Sequence, residues 1–479
     1  MLYRKLIEEY PGGKKPVFFD ETRVLSVPDL HSMTAVYSAV FQSLGVEQGD
    51  RILVPDDDPI EMMIVLMACI ANGYVCVPVS RLLDAESLDF IIHDCKPACI
   101  VDEEFRQIMN RKMKELDEDA VVCHLESRTL CGEDTLVYII YTSGSEGFPK
   151  GVVASQKQIL FSSKKINERL GNSDSDRILC SLSLAFDYGL YQIFLALLSG
   201  AELYFCKGDV LQRIPYLLQR WKITAFPMIP SMANLMVKTG MLKYPGNTVL
   251  RYITFTGEVL PVTLIKELWE LLPGVRIIPM YGLTECKRVS VMPEGRKDKV
   301  LEGSCGLPLK DVSVRLDDPD QTTGIGELVV AGDNVMEGYW NCPEGKNSIF
   351  SKDPHTGKKE LHTGDLFFID EEGFLYFRGR KNGIIKICGY RINCAWIENK
   401  LKQCQDIIEV SVSGEKDSLT GEHLEIWVYS RQEDMEQKMY ECMGQFPDYL
   451  QNYRLHMSSK PLPKTSGGKI DIQKLQGKK

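Results

Sequence analysis

The sequence lacks the segments that mark an exported or membrane-spanning chain. Its start, MLYRKLIEEYPGGKKP, contains no apolar stretch of signal-peptide length. The most apolar run, MMIVLMACIANGYVCVPV from Met62, is interrupted by Asn72 and Gly73, so it falls short of the roughly 18 residues of a membrane span. We interpret this run as a buried helix followed by a strand. The sequence therefore predicts neither export nor a membrane partner.

Cysteine spacing and charge exclude two further classes. The 15 cysteines are scattered and form no CxxC pair, so they predict neither a zinc ribbon nor a dithiol redox motif. Such usage is typical of reduced thiols and indicates a cytoplasmic protein. The net charge of -10 argues against a nucleic-acid partner, because an acidic surface repels a phosphate backbone. A composition of 44% hydrophobic and 25% charged residues predicts an ordinary globular protein with a sizeable core.

The length of 479 residues predicts more than one domain. Strand-like and helix-like runs alternate in the first three quarters, as in LVYIIYT, QKQILFSSKKINERL, GAELYF and RYITF before PVTLIKELWELLPG, which indicates layered α/β architecture. From about Ile384 the pattern changes to strand, helix, strand, strand and a mixed segment. We predict a large α/β domain at residues 1–380 and a small α+β domain at 381–479, joined by a hinge at GRKNG.

The segment YTSGSEGFPKG, Tyr141 to Gly151, combines three glycines with hydroxyl side chains and Lys150. Glycines let backbone N–H groups converge on an anion, and the hydroxyls and the lysine add donors and charge. The segment is not a Walker A loop, because Lys150 is followed by glycine rather than serine or threonine. Alone it could be a flexible surface turn, but its composition favours a phosphate-binding loop.

Six further motifs follow this loop along the chain. They are FTGE at Phe255 to Glu258, YGLTE at Tyr281 to Glu285, GELVVAGDNVMEGYW at Gly326 to Trp340, HTGD at His362 to Asp365, FRGRKNGIIKICGYRI at Phe377 to Ile392 and LPKTSGGKID at Leu462 to Asp471. With these motifs the chain resembles the adenylate-forming superfamily of acyl-CoA synthetases, luciferases and nonribosomal peptide adenylation domains, over nearly its whole length. The resemblance implies ATP-dependent conversion of a carboxylic acid into its acyl-AMP, with transfer of the acyl group to a thiol.

The resemblance assigns ATP-binding roles residue by residue. A tyrosine ring suits a purine face, a carboxylate suits Mg²⁺, and the paired oxygens of a carboxylate suit two ribose hydroxyls. The implied residues are Thr142, Ser143, Gly144, Ser145 and Lys150 for the β- and γ-phosphates; Gly257, Glu258 and Tyr281 for adenine; Thr284 for the α-phosphate; Glu285 for the metal; and Asp365, with Arg380 beside it, for ribose.

Lys469, in the segment GGKID, matches the catalytic lysine of the family. The resemblance implies that it bridges the substrate carboxylate and the α-phosphate, where negative charge accumulates during attack. A lysine among glycines is by default exposed and idle, but the preceding LPKT and the following IDI favour catalysis. Thr284 and Glu285 complete the implied catalytic set.

The resemblance also implies that the small domain rotates about Asn382 between two half-reactions. The thiolation loop would then include Lys386 and Gly389, and the glycine would leave room for a pantetheine arm. Asn382 stands where aspartate or lysine is usual, Asn393 where glutamate is common, and Glu146 where threonine or serine is usual. These departures affect the expected rate and geometry more than the type of reaction.

Asp187, in AFDYGLYQIFLALLSGAELYF, matches the aspartate that receives the substrate's α-ammonium in amino-acid-activating domains. An unpaired ammonium in a partly dry pocket would be costly, so such a pairing makes physical sense. Asp187 could instead cap a helix that begins near Tyr188. Arg288 could meet a second carboxylate or face solvent. The implied pocket residues are Tyr188, Tyr191, Thr254, Thr256, Met280, Arg288 and Val289, which favour a small or medium acid over a long fatty tail.

Because the sequence ends soon after Lys469, we expect a free-standing ligase whose thiol acceptor is a separate protein. The favoured hypothesis is amino-acid activation with ATP and Mg²⁺, followed by transfer to the phosphopantetheine of a carrier protein, with CoA as the alternative acceptor. A second hypothesis is an acyl-CoA synthetase for an aryl or short-chain acid, with Asp187 only a cap. A third is a catalytically silent nucleotide-binding scaffold, suggested by Glu146 and Asn382. Luciferase-like oxidation is also compatible with the motifs.

Overall fold

The computed structural model describes most of the chain. The described ranges are 2–11, 16–83, 85–115, 131–142, 149–206, 211–242, 249–342, 349–353, 357–387, 390–404, 406–417, 421–432, 434–446, 450–465 and 468–477, together with residues 122 and 125. None of the helices in these ranges combines the length and the apolar character needed to cross a bilayer.

The described helices are Leu2–Leu6 (α1), Val27–Ser43 (α2), Pro59–Asn72 (α3), Ala85–Cys95 (α4), Glu103–Lys112 (α5), Gln156–Leu170 (α6), Asp187–Ser199 (α7), Ile214–Arg220 (α8), Pro230–Lys238 (α9), Val262–Leu271 (α10), Lys297–Leu301 (α11), Cys394–Leu401 (α12), Met435–Met443 (α13) and Ile472–Leu475 (α14). A short 3-10 helix covers Lys381–Gly383.

The described strands are Pro16–Phe19 (β1), Val24–Ser26 (β2), Arg51–Pro55 (β3), Val75–Val79 (β4), Cys99–Ile100 (β5), Leu136–Thr142 (β6), Lys150–Ser155 (β7), Arg177–Cys180 (β8), Glu202–Phe205 (β9), Ala225–Met228 (β10), Tyr252–Phe255 (β11), Arg276–Tyr281 (β12), Ser290–Val291 (β13), Leu307–Pro308 (β14), Ser313–Asp317 (β15), Gly326–Ala331 (β16), Gly338–Tyr339 (β17), Phe350–Lys352 (β18), Lys359–Ile369 (β19), Leu375–Arg380 (β20), Ile384–Ile387 (β21), Tyr390–Asn393 (β22), Glu409–Asp417 (β23), Gly421–Tyr429 (β24) and Tyr453–Ser458 (β25).

The chain divides into two compact units. The first comprises Met1–Leu260, Leu264–Ser313 and Val330–Leu361, and the second comprises Pro261–Thr263, Val314–Val329 and His362–Lys479. The mixed α/β architecture predicted from the sequence is confirmed. The predicted boundary between residues 380 and 381 concerns rotation of the small domain, and it stays a prediction.

Two sheets form the first unit. One has the strand order β14-β13-β12-β11-β10-β8-β9-β1-β2, and the other has the order β17-β7-β6-β4-β3-β5. Strands β8, β10, β11 and β12 run parallel, so their carboxyl ends meet at one edge of the first sheet. Helix α7 packs on β8 and β9, while α6 packs on β7 and on α7. Helices therefore lie between the two sheets, as expected for a layered α/β fold.

The apolar run from Met62 forms a buried helix and a buried strand, as its pattern predicts. Helix α3 begins at Pro59, and the carboxylate of Asp58 accepts hydrogen bonds from the free N–H groups of its first turn. It ends at Gly73, whose φ of 73° is a left-handed conformation that suits glycine. Strand β4 follows directly and is buried along its whole length. Buried packing on every side explains why this run has no polar face.

The second unit contains a sheet of order β22-β21-β24-β23, with β25 paired to β24. Helices α12 and α13 cover one face of this sheet with a core that includes Ile397, Leu401, Ile426, Val428 and Met439. The predicted strand, helix and two further strands are present as β21, α12, β23 and β24, and the mixed segment that follows contains α13. The sequence did not predict β22, which lies between β21 and α12. A further sheet, of order β15-β16-β19-β18 with β20 paired to β19, carries the HTGD motif on β19.

Candidate active site

The predicted acid- and adenine-binding residues cluster where parallel strands end. Thr254 lies near the end of β11, and Met280 and Tyr281 end β12, its parallel neighbour. Thr256 follows directly after β11. All four side chains are buried, with exposed fractions between 3% and 8%. The carboxyl ends of parallel strands are the usual place for a ligand in an open α/β sheet.

A tight loop between β12 and β13 carries the YGLTE motif and the two residues after Cys286. The Val289 N–H donates to the Tyr281 carbonyl over 2.9 Å, which closes the loop into a hairpin. A Cβ atom on Gly282 would lie 1.8 Å from the Lys287 carbonyl oxygen, so only glycine fits there. Lys287 itself has a φ of 55°. This compact turn fixes Glu285 and Lys287 relative to the sheet.

The predicted phosphate and metal residues of the first unit meet at Tyr339. The Tyr339 hydroxyl donates to Glu285 Oε1 over 2.7 Å. Lys150 Nζ lies 5.6 Å from the centroid of the Tyr339 ring. The ring is positioned by the pairing of β17 with β7, which sets Tyr339 opposite Val152. Thr142 pairs with Lys150 across β6 and β7. Ser143, Gly144, Ser145 and Glu146 lie outside the described residues.

The donor set around Glu285 fits a divalent cation. Glu285 is half-buried, and its Oε2 has no hydrogen-bond partner among the described residues. Mg²⁺ prefers carboxylate oxygen and is commonly held by one or two carboxylates together with substrate phosphates. One carboxylate oxygen fixed by a phenol and one left for a ligand match that requirement. Thr284, the residue before it, is also half-buried.

The FTGE motif has a second structural role. Glu258 accepts hydrogen bonds from the Ser231 N–H and from the Ser231 hydroxyl, each over 3.0 Å. Ser231 lies in the first turn of α9, so the carboxylate stabilises the amino end of that helix. Gly257 has a φ of 91°, which favours glycine there. The predicted contacts of Gly257, Glu258 and Tyr281 with adenine stay predictions.

In the second unit, Asp365 and Arg380 face each other across β19 and β20. Arg380 Nε lies 3.0 Å from Asp365 Oδ1. The Asp365 side chain is 3% exposed and Arg380 is 57% exposed. The Asp365 N–H also donates to the Thr363 hydroxyl over 3.1 Å. The structure therefore brings together the two residues that the resemblance assigned to ribose.

Three of the remaining predicted residues of the second unit are described by the structure. Lys469 is exposed and lies in a turn closed by the Thr465 N–H, which donates to the Lys469 carbonyl over 2.7 Å. Asn382 is in the 3-10 helix, and Lys386 is on β21 opposite Arg391. Gly389 lies outside the described residues. The roles assigned to these four residues stay predictions.

Most of the predicted acid-binding residues surround one cavity in the first unit. The lining includes Tyr188, Tyr191, Thr254, Met280, Lys287 and Arg288. The Tyr188 hydroxyl lies 2.7 Å from the Thr254 hydroxyl, and Arg288 Nη1 donates to the Thr256 hydroxyl over 2.8 Å. Burial raises the pKa values of both tyrosines. Val289, also predicted, is fully buried.

Two of the open alternatives are resolved by these contacts. Arg288 is only 3% exposed, so it does not face solvent. Helix α7 begins at Asp187 itself and Phe186 occupies the cap position, so Asp187 is not its cap. The Asp187 carboxylate instead contacts a residue that the sequence did not single out. Lys287 Nζ lies 2.6 Å from Asp187 Oδ2 and 2.6 Å from the Asp187 carbonyl oxygen.

Lys287 is the functional candidate that sequence reasoning missed. Its side chain is 1% exposed, against 18% for Asp187. Burial lowers the pKa of Lys287 to about 7, against the opposing effect of Asp187, and the neighbouring Arg288 lowers it further. The available signal was its position between Glu285 and Arg288, inside a segment already predicted to line the site.

Comparisons with known proteins agree with the resemblance that the sequence motifs indicate. The family described as AMP-binding enzyme matches residues 5–340. The 2-succinylbenzoate–CoA ligase of Oceanobacillus iheyensis is 26% identical over 416 residues, which cover 84% of this chain and 83% of that protein. Bacitracin synthase 3 of Bacillus licheniformis is 27% identical over 489 residues, but these span 99% of this chain and only 8% of the synthase.

Solved structures show the same fold. ATP-bound MatB from Rhodopseudomonas palustris superposes with a TM-score of 0.86 at 22% identity, over 99% of this chain and 98% of MatB. VinN in complex with L-aspartate has a TM-score of 0.68 at 28% identity, over 79% of this chain and 98% of VinN. The chain therefore belongs to the AMP-binding enzyme family and is an AMP-forming ligase.

Proposed function

We propose that the enzyme activates a carboxylic acid as its acyl-adenylate, with release of pyrophosphate, and then transfers the acyl group to the phosphopantetheine thiol of a separate carrier protein. The observation that best supports adenylation is the convergence on Tyr339, which holds Glu285 by a hydrogen bond and lies beneath Lys150. A carboxylate and an ammonium placed around one rigid ring suit a metal–triphosphate, which needs both a metal ligand and a cation.

The residues of the first unit would bind and orient ATP. Lys150 and the hydroxyls of the phosphate loop, including Thr142, bind the β- and γ-phosphates. Tyr281 packs on the purine, and Thr284 donates to the α-phosphate. Glu285 holds Mg²⁺, which when bound neutralises charge on the phosphates and on the departing pyrophosphate. Because Tyr339 fixes one oxygen of Glu285, the carboxylate needs little reorganisation when ATP arrives.

The residues of the second unit would complete the first half-reaction. Asp365 accepts hydrogen bonds from the ribose hydroxyls, and its ion pair with Arg380 orients the carboxylate. Lys469 bridges the substrate carboxylate and the α-phosphate. A carboxylate oxygen attacks the α-phosphorus, the bond between the α-phosphorus and the bridging oxygen breaks, and pyrophosphate leaves with the bonding electrons. The lysine stabilises the charge that develops on the α-phosphate.

In the second half-reaction, the small domain would rotate about Asn382 and present the loop that contains Lys386 and Gly389. The thiol loses its proton, its sulfur attacks the acyl carbon, and AMP leaves. Carrier phosphopantetheine is the favoured acceptor, and CoA is the alternative. The names of the relatives include both a CoA ligase and a nonribosomal peptide synthase, so they favour neither acceptor over the other.

The nature of the acid depends on Asp187. In the amino-acid hypothesis, its carboxylate receives the substrate's α-ammonium. The alternative is an acid without an amine, such as an aryl or short-chain acid, and one observation favours it: Lys287 already pairs with Asp187 over 2.6 Å. A substrate ammonium would have to displace this buried partner.

Pyrophosphate release tests the first half-reaction. Purified enzyme with Mg-ATP is offered amino acids and their deaminated analogues, and the assay is repeated with Lys469→Ala. We expect release with one of these classes of acid and a drop of about 10²–10³-fold in the variant, comparable to the loss of one preorganised charge-stabilising donor. Lys460→Ala, an exposed lysine nearby, is the matched control and should retain the wild-type rate. Wild-type rates in Lys469→Ala would refute the assigned role of Lys469.

A second assay distinguishes the acceptors. Radiolabelled acyl-adenylate is formed in a first step, and either CoA or a phosphopantetheinylated carrier protein is then added. We expect the adenylate to persist with CoA and to discharge with a cognate carrier. Equal discharge by free CoA would refute the preference for a carrier and assign the enzyme to the acyl-CoA synthetases.

A further inference from the structure

At the acid cavity, Asp187, the carboxylate that would receive a substrate amine, is already paired with Lys287. Lys287 is among the largest fully buried side chains. Two contacts of 2.6 Å tie its ammonium to the carboxylate and to the carbonyl of Asp187. The same Nζ lies 3.8 Å from the centroid of the Tyr191 ring. An ammonium has three donor hydrogens, so these contacts satisfy it within the protein.

Lys287 already occupies Oδ2 of Asp187, so a substrate ammonium at this carboxylate would lie beside the Lys287 ammonium. A second ammonium at the carboxylate would repel Lys287 at short range in a site of low dielectric constant. If the substrate displaced Lys287, that side chain would remain buried without a partner, which is costly. An α-amino acid would therefore pay a penalty that an acid without an amine avoids.

Arg288, the next residue along the chain, is also buried, but it differs from Lys287 in its partners. It is 3% exposed, and Nη1 donates to the Thr256 hydroxyl over 2.8 Å. Its guanidinium carbon lies 5.2 Å from the centroid of the Tyr188 ring. Among the residues that the structure describes, Nε has no hydrogen-bond partner and no carboxylate forms an ion pair with the guanidinium. A buried guanidinium bound only to a hydroxyl and an aromatic ring lacks a counter-charge.

Lys287 and Arg288 line the same cavity with Tyr188, Tyr191, Thr254 and Met280. With Asp187 paired to Lys287, Arg288 has no carboxylate partner among the described residues, and a guanidinium is well suited to bind a carboxylate through two hydrogen bonds. We propose that the residues around this cavity select a carboxylic acid that has a second anionic group and no α-ammonium, with Lys287 occupying the ammonium position at Asp187 and Arg288 pairing with the second anion. This inference rests on the proposed acid-activating function.

A factorial panel of acids tests the two features separately. Pyrophosphate release with Mg-ATP is measured for butanoate, L-2-aminobutyrate, succinate and L-aspartate, and for the aryl set benzoate, anthranilate and phthalate. We expect kcat/KM to be at least 10-fold higher for the dicarboxylic acid than for the matched monocarboxylic acid in one of the sets. If the enzyme activates the aliphatic acids, we also expect kcat/KM for succinate to be at least 10-fold higher than kcat/KM for L-aspartate.

Two variants connect this preference to Arg288. Arg288→Gln should lower kcat/KM for the dicarboxylic acid, mainly through KM, at least 10-fold more than it lowers kcat/KM for the matched monocarboxylic acid. Arg288→Lys keeps the charge and should recover part of the preference. Arg276→Gln, on the same sheet but outside the cavity lining, is the control. Thermal melting checks that each variant is folded.

The outcomes separate this inference from the function on which it rests. The proposed acid class is wrong if kcat/KM for an amino acid or a monocarboxylic acid equals or exceeds that for the matched dicarboxylic acid without an amine. The proposed activation of an acid would still stand. Equal losses for both kinds of acid in Arg288→Gln would likewise overturn the role of Arg288. If no acid of any class releases pyrophosphate, the proposed function fails, and this inference fails with it.

Discussion

The two ends of the candidate site balance charge in different ways. At the phosphate end, Glu285 and Lys150 are half-buried, and both contact a neutral residue, Tyr339. At the acid end, Asp187 and the fully buried Lys287 contact each other directly. At the phosphate end the two charged groups therefore contact a neutral ring, whereas at the acid end the predicted anion is paired with a cation of the protein.

This difference follows from burial. A half-buried carboxylate or ammonium keeps part of its hydration, so it can await a ligand at modest cost. A fully buried ammonium cannot, and it must be balanced inside the protein. Asp187 matches a substrate-binding aspartate by its position, but it is paired with Lys287 inside the protein. The ligand must then suit the charged residue of the acid end that has no such partner in the described part of the chain, which is Arg288.

The largest expected effect comes from breaking the internal pair. Asp187→Asn should lower the free energy of unfolding by about 3–5 kcal/mol, because Lys287 would then be buried without its counter-charge or would have to lose its proton. Urea unfolding followed by tryptophan fluorescence measures the change.

Two variants sharpen this test. Glu267→Gln breaks the exposed pair with Lys238, whose atoms are 3.3 Å apart, and should cost less than about 1 kcal/mol. Adding Lys287→Met to Asp187→Asn should recover most of the lost stability, because it removes the unpaired charge. If Asp187→Asn lowers the free energy of unfolding no more than Glu267→Gln does, the buried pair of Asp187 and Lys287 stabilises the protein no more than an exposed ion pair.

At the phosphate end we expect the larger effect on activity from Glu285, the proposed metal ligand. Glu285→Gln should slow Mg²⁺-dependent adenylation by about 100-fold or more, since even partners outside the first coordination sphere cost about 10–100-fold. Stability should change little, because Glu285 is not part of a buried ion pair among the described residues. Glu294→Gln is the control, since Glu294 is exposed. A rate within twofold of wild type in Glu285→Gln would rule out its assignment as the metal ligand.

Tyr339→Phe should have a smaller effect of the same kind. The ring near Lys150 remains and only the hydrogen bond to Glu285 is lost, so we expect about a 10-fold rise in the Mg²⁺ concentration that gives half-maximal rate. Tyr216→Phe, on an exposed tyrosine, should leave the Mg²⁺ dependence unchanged. An unchanged Mg²⁺ dependence in Tyr339→Phe would mean that the hydroxyl does not position Glu285 for the metal.

The fold could be predicted largely from local patterns. The continuous apolar run of strand β6 and the helical spacing of apolar residues in α6 are visible in the sequence. The mixed segment near the end of the chain contains a further helical spacing. Met435, Met439 and Met443 recur every four residues and are all buried in α13. The nucleotide residues lie in short contiguous motifs, so their positions could also be read directly from the sequence.

The acid end could not be predicted in the same way, because its decisive contact is distant along the chain. Lys287 and Asp187 are 100 residues apart and meet only when the loop after β12 packs against the start of α7. From sequence alone, a lysine beside an arginine is expected at the surface. Glu258 shows the same limit, since its partner Ser231 lies 27 residues earlier.

The smallest predicted effect is a pH dependence that separates the two ends. Burial lowers the pKa of Lys287 to about 7, while Asp187 opposes this shift and Arg288 and Tyr191 also face the ammonium. Unfolded lysine keeps its proton up to a pH of about 10.4. Between these values the unfolded state binds more protons, so the contribution of Lys287 to stability should rise with pH, by at most about 1.4 kcal/mol per pH unit.

The check is the difference between wild type and Lys287→Met in urea unfolding from about pH 7.5 to 9. Contributions of the buried tyrosines and cysteines are shared by both proteins and cancel, and so do those of the phosphate end. The stability of wild type relative to Lys287→Met should increase over this range. Parallel curves would contradict the prediction and would mean that Asp187 holds the ammonium protonated throughout, so that the acid end carries a permanent ion pair whatever the pH.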